Sequence, residues 1–139
     1  MGGRVYDKLQ VLEMSEENGF SWTVKAELPA ARFDASSTVA GGRLWLMGGY
    51  SEDEEPFRDV IIYDTATDTW AAGPALPWPD VDSPKATHAA ELNGELHWYH
   101  DRTYRYVPAV LHRDGAWVEE PWGGLPVEGI CQVAQILLG

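Results

Sequence analysis

Apolar and polar positions alternate in short runs along this chain, and the clearest set lies at 44–77. The run LWLM closes on Gly48-Gly49 and opens into an acidic loop, Glu52-Asp53-Glu54-Glu55. A second run, DVIIYD at 59–64, is followed by a polar turn at 65–68, then Trp70 and a stop at Leu76-Pro77. Short runs rich in β-branched and aromatic side chains, bounded by Gly, Pro, Asn and Asp, are strand signals. They predict strands at 36–40, 43–47, 59–64 and 69–72. Gly41-Gly42 and Asn93-Gly94 suit two-residue hairpins, whose central residues need positive φ. Asn18-Gly19, 65–68 and Asp114-Gly115 predict the tight turn between a third and a fourth strand. No 3.6-residue apolar period persists beyond a turn or two.

The same markers recur at a nearly constant step. Gly2-Gly3 returns as Gly48-Gly49, Trp22 as Trp70 and Trp117, and Leu28-Pro29 as Leu76-Pro77 and Leu125-Pro126. Three independent markers agree on a period of about 48 residues, the signature of a repeat architecture. In the third unit, His97-Trp98-Tyr99-His100 stands in the place of the diglycine, while Trp117 and Leu125-Pro126 are kept. The stretch 127–138 falls where 36–40 and 87–92 fall, just after a Leu-Pro, and is predicted to be a strand.

A repeated four-stranded unit of this length resembles the Kelch repeat, on Gly48-Gly49, Tyr63-Asp64, Trp70 and Leu76-Pro77 and on their counterparts in the other units. The resemblance implies an all-β fold: a Kelch-type β-propeller fragment of about three four-stranded antiparallel blades. It implies a single domain over 1–139, with units of about 1–29, 30–77 and 78–126 and a closing strand at 127–139. Gly48 and Gly49 then let two backbones approach, and Tyr63, Trp22, Trp70 and Trp117 fill the gaps between sheets. The chain opens on the tail of a second strand and ends on a first strand, the order of a ring stapled by its C-terminal strand. The expected arrangement is the C-terminal half of a six-bladed propeller. The alternative is six blades closed by a homodimer.

Charge and composition narrow the partners. A formal charge of -12 repels the phosphates of nucleic acid, so no nucleic-acid partner is expected. No apolar stretch approaches the ~20 residues of a membrane helix, and 1–9 has no signal-peptide pattern, so no membrane partner is expected either. The one cysteine, Cys131, leaves no internal disulfide and fits a reducing, cytoplasmic setting. It sits in a predicted buried strand, where a small apolar role is the common one.

Candidate chemistry is sparse. His97, His100 and His112 with Asp101 lack metal-ligand spacing, and strand alternation does not converge them. No motif marks a nucleophile or a pair of catalytic carboxylates. The expectation is therefore no enzyme, no metal and no cofactor; an enzyme or a sugar- or metal-binding propeller is the alternative. The acidic loop reads first as a solvated tip that protects a sheet edge, and second as part of a groove for a basic peptide or surface.

The resemblance sharpens the second reading. In Kelch propellers the loops joining second to third strands share one face with those joining fourth strands to the next first strand. Carried over by position, that face presents Arg32 with Phe33 and Asp34, then Tyr50, Glu52, Asp53, Glu54, Glu55 and Arg58. The third unit and its approach add Trp78, His100, Arg102 and Tyr104. Aromatics and arginines amid acids are common at protein-binding hot spots. Trp78, between Pro77 and Pro79, is the expected exposed anchor. The resemblance implies a protein-interaction module, serving as part of a ubiquitin-ligase substrate receptor or as a cytoskeletal adaptor.

Overall fold

The computed structural model describes residues 4–76, 88–102, 105–111 and 115–119. Ten strands in antiparallel order make up the regular structure of these residues. Strands β1 (Gln10–Ser15) and β2 (Gly19–Val24) form a hairpin. Strands β3 (Ser36–Ala40), β4 (Arg43–Met47), β5 (Val60–Asp64) and β6 (Thr69–Ala72) form a four-stranded meander. A second meander follows with β7 (His88–Leu92), β8 (Glu95–Arg102), β9 (Arg105–Leu111) and β10 (Trp117–Glu119).

Turn chemistry sets the registers. Gly41 and Gly42 sit at φ of +56° and +72°, and Asn93 and Gly94 at +53° and +81°. Both pairs close two-residue hairpins whose twist matches the strands. The β1–β2 turn is one residue longer than Asn18-Gly19 suggests: Ser15 pairs with Gly19, and Ser15 Oγ accepts from the Asn18 N–H at 3.0 Å. Between β5 and β6, Asp64 Oδ1 accepts from the Ala66 N–H at 2.9 Å.

Register identifies the hairpin β1–β2 with the outer half of each meander. Trp22 lies opposite Leu12, as Trp70 lies opposite Tyr63 and Trp117 opposite Leu111. The two meanders face each other across an apolar core of Met47, Val60, Leu76, Leu96, Trp98 and Leu111. Trp45, Ile62, Ala40, Ala89 and Trp117 pack around it. Met47 and Val60 are fully buried, each contributing roughly 1.5–3 kcal/mol relative to exposure. Alternation places Trp45, Met47, Val60 and Ile62 on one face of the first meander, and Tyr63, Trp70 and Ile61 on the other.

Two expectations change. Counted from the hairpin turn, the counterpart of Gly48-Gly49 is His100-Asp101, not 97–100, because Arg43 and Glu95 occupy the same position after their turns. There β8 does not stop: it stays paired with β9 as far as Arg102 opposite Arg105. Trp22 keeps its register but is 68% exposed, because no described residue covers its face of the hairpin. The predicted strand at 127–138 lies outside the described residues.

Candidate functional site

Two connections meet at one end of the first meander. The first runs from β2 into β3, and the second is the loop 48–59 between β4 and β5. They join as a short ladder: the Phe33 N–H donates to Tyr50 O at 3.0 Å, and the Tyr50 N–H returns the bond to Phe33 O at 2.9 Å. The two rings stack with centroids 5.6 Å apart and planes tilted by 30°. Phe33 is 38% exposed and Tyr50 is half-buried, so the pair forms an aromatic platform open to solvent.

The diglycine makes this approach feasible. Gly49 sits at φ +90°, and a methyl group there would lie 2.7 Å from Phe33 O. Only a residue without a side chain fits. Beyond Tyr50 the loop closes on itself, with the Ser51 N–H donating to Glu55 O and the Glu54 N–H to Ser51 O, both at 2.9 Å. The Glu55 N–H reaches Ser51 Oγ at 3.2 Å. Glu52, Asp53, Glu54 and Glu55 are all exposed at the tip, and Glu54 takes a positive φ of 62°.

Arg32 lies beneath the platform, and here the structure corrects an expectation. Its side chain is 2% exposed, so it is not part of the presented surface. The guanidinium makes a two-pronged pair with Asp59, at 2.7 and 3.1 Å, and donates to Gly48 O at 3.0 Å. It also lies 4.1 Å from the centre of the Phe57 ring. A planar fork that bonds a carboxylate and stacks on a ring is a use of arginine that lysine cannot copy. Arg32 therefore ties the first connection to both feet of the loop.

Arg58 is exposed at the far foot of the loop. His100 and Arg102 lie in β8, where their backbones pair with Val107 and Arg105. Trp78 and Tyr104 lie outside the described residues. The structure thus joins Tyr50 to Phe33, with the acidic tip and Arg58 on the same loop as Tyr50. Sequence reading missed Asp59 and Phe57, whose roles arise only when the loop folds over Arg32. Among the described residues no cluster of three or more His, Cys, Asp or Glu is placed to hold a metal. No helix among them is long and apolar enough to cross a membrane.

A second polar constellation joins the sheets at their outer strands. Trp70 donates its indole N–H to Ala26 O at 3.0 Å, and Asp68 Oδ1 accepts from both the Ala26 N–H, at 2.8 Å, and the Tyr63 hydroxyl, at 2.7 Å. Burial, then the hydrogen bond to Asp68 and nearby carboxylates, push the Tyr63 hydroxyl up to about 12. The Ala26 N–H, then Tyr63 and Lys25, hold the Asp68 carboxyl below its ordinary value. Tyr63 is 2% exposed, and its ring lies 5.1 Å from that of Trp70. This cluster is structural, not a binding surface.

Four-stranded antiparallel meanders packed face to face, outer strands tied to the preceding sheet through tryptophan, define blades of a propeller-type protein. Residues 31–77 match the Kelch motif. The chain therefore carries a Kelch motif and is similar to Kelch-repeat proteins. It is 39% identical over 57 residues to Kelch-like protein 36 of Mus musculus, covering 40% of this chain and 9% of that one. It is 30% identical over 77 residues to an F-box/kelch-repeat protein of Arabidopsis thaliana, covering 55% of this chain and 19% of that one. The chain thus spans less than a fifth of the length of these relatives. The solved structure of YjhT superposes on 67% of this chain and 27% of its own with a TM-score of 0.55. At 21% identity, that likeness shows the fold alone.

Proposed function

We propose that this chain is a protein-interaction module that presents the Phe33–Tyr50 platform and the acidic tip at 52–55 to a partner carrying a basic segment. The observation behind this reading is the cross-loop ladder between Phe33 and Tyr50, which fixes a half-exposed aromatic pair beside four carboxylates. Aromatic rings supply contact area at low ordering cost, and flanking charge supplies steering and choice of partner. Arg32 and Gly49 hold the geometry before any partner arrives, so little ordering free energy is lost on binding.

Arg58, and by sequence position Trp78, His100, Arg102 and Tyr104, would extend the same face. As a domain, 1–139 would act through its units of about 1–29, 30–77 and 78–126. An adaptor role, within a ubiquitin-ligase receptor or at the cytoskeleton, is consistent with relatives named as Kelch-like and F-box/kelch-repeat proteins. We place it in the cytoplasm, in keeping with a single cysteine.

The test is affinity capture with the full chain against a variant in which Glu52, Asp53, Glu54 and Glu55 are all changed to Lys. The expected result is loss of specific partners at unchanged strand content. Retention of the same partners by the charge-reversed chain would rule out the acidic tip as the recognition element.

A further inference from the structure

Carboxylates flank the Phe33–Tyr50 platform from both connections. Asp34 follows Phe33 directly and is exposed, at a φ of 53°. On the loop side Tyr50 bridges to Pro56, and the Ser51 N–H donates to Glu55 O, so Glu55 sits one step beyond Tyr50 in the ladder. Residues 33–34 and 50–58 thus expose Asp34, Glu52, Asp53, Glu54 and Glu55 against one exposed cation, Arg58. Acids alone would accept any cation. Two stacked rings held beside them make a narrower demand.

The same loop already holds one cation in its interior. Arg32 lies 4.1 Å from the centre of the Phe57 ring while its guanidinium forks onto Asp59 at 2.7 and 3.1 Å. A guanidinium is flat, so its face rests on a ring while its edge donates to a carboxylate, and it gives up water more readily than an ammonium. A lysine ammonium is a compact point charge that cannot fork and stack at once. At the surface the chain sets ring beside carboxylate again, Phe33 with Asp34 and Tyr50 with the tip that Glu55 closes.

We propose that the platform takes an arginine side chain of the partner, its guanidinium lying on the Phe33–Tyr50 rings and donating to a flanking carboxylate. This rests on reading the loop face as the interaction surface, and it narrows the partner from a basic segment to an arginine-bearing one. The net charge of -12 speeds encounter with lysine and arginine segments alike, so the choice between them falls to the rings.

The test is titration calorimetry of the full chain with a short glycine-serine peptide carrying spaced arginines. The same peptide with lysine, or with uncharged citrulline, at those positions is measured beside it at one ionic strength. The arginine peptide is expected to bind about fivefold tighter than the lysine peptide, and the citrulline peptide not measurably. Tyr50→Ala and Phe33→Ala should each bring the arginine peptide down to the affinity of the lysine peptide, with the far-ultraviolet circular dichroism unchanged. Equal affinities for arginine and lysine in the wild type overturn the assignment, as does a preference for arginine that survives in both variants; either result leaves an acidic loop face standing. Absence of binding by the arginine peptide also overturns it, and the loop face itself is then decided by capture with the charge-reversed chain.

Discussion

Trp70 and Ala26 are 44 residues apart in the chain and are joined by a 3.0 Å hydrogen bond from indole N–H to backbone carbonyl. The bond crosses from the first meander to the connection behind the hairpin, and Trp117 repeats it to Pro74 at 3.2 Å. Each meander is thus fastened to the sheet before it by an indole hydrogen bond, to which the first meander adds the bond from the Ala26 N–H to Asp68. Trp70→Phe keeps much of the ring packing and removes the donor, so it should cost about 1 kcal/mol. Trp70→Ala also removes the stack on Tyr63 and should cost about 3 kcal/mol. Urea unfolding of the two variants checks the order; equal costs would mean that the hydrogen bond, not the ring, dominates.

Gly49→Ala should be more damaging than its size suggests. The added methyl group meets Phe33 O at 2.7 Å and Ala35 Cβ at 3.0 Å, in a backbone conformation that favours glycine. A loss of about 3 kcal/mol is expected, read as a lowered unfolding midpoint. Gly41→Ala shares the positive φ but meets nothing within 4 Å, and should cost about 1 kcal/mol. The difference between them isolates the close approach from the backbone strain.

Arg32→Met keeps a long apolar stem over Phe57 but releases Asp59 and Gly48 O. Asp59 is 47% exposed and can turn to water, so the loss should be about 2 kcal/mol rather than that of a fully buried pair. Arg32→Lys should recover little of it, because an ammonium cannot form the two-pronged pair while stacking on the ring. Thermal melts of all three proteins settle this.

Stability should depend on pH at both ends of the range through the Tyr63–Asp68 cluster. The Asp68 carboxyl titrates lower when folded, so its contribution is present above the ordinary carboxylate range and is lost as pH falls through the lowered value. The gap in melting temperature between wild type and Asp68→Asn should therefore close in strong acid. The Tyr63 hydroxyl titrates higher when folded, so its contribution is complete below 10.0 and is lost as pH rises toward about 12. Phenolate absorbance should show a late-titrating component that is absent in Tyr63→Phe.

Tyr50→Ala should weaken capture of the partner by about tenfold or more, as expected for an aromatic at the centre of an interface. Its backbone ladder to Phe33 needs no side chain, so the fold should tolerate the change. A melting temperature lowered as far as in Trp70→Ala would mean that Tyr50 is a core residue instead.

Much of the fold could be read from the chain because a repeat exposes its own logic. Trp70 and Trp117 recur at a fixed step since each closes the same seam, and Gly41-Gly42 and Asn93-Gly94 mark turns that only such residues enter cheaply. The site was less legible. Arg32 looks like a surface arginine until the loop brings Asp59 and Phe57 over it, a long-range event that leaves no local pattern. Trp22 shows the converse: the sequence marks its register but not what lies against it. The misplaced diglycine counterpart has a simple cause. The approach to β7 is longer in the third unit and the β8–β9 turn shorter, so a single step cannot align both.

That short turn separates the two meanders in another respect. In the first, the feet of the loop 48–59 are clamped by the Gly48 N–H to Asp59 O bond and by Arg32, while its middle bonds mainly to itself. In the second, β8 and β9 stay paired to Arg102 and Arg105. Lengthening a clamped loop costs only slowly growing closure entropy, about 0.6 kcal/mol per doubling. The 51–55 tip is therefore a natural grafting port: foreign peptide inserted there should be displayed without remodelling the sheet beneath.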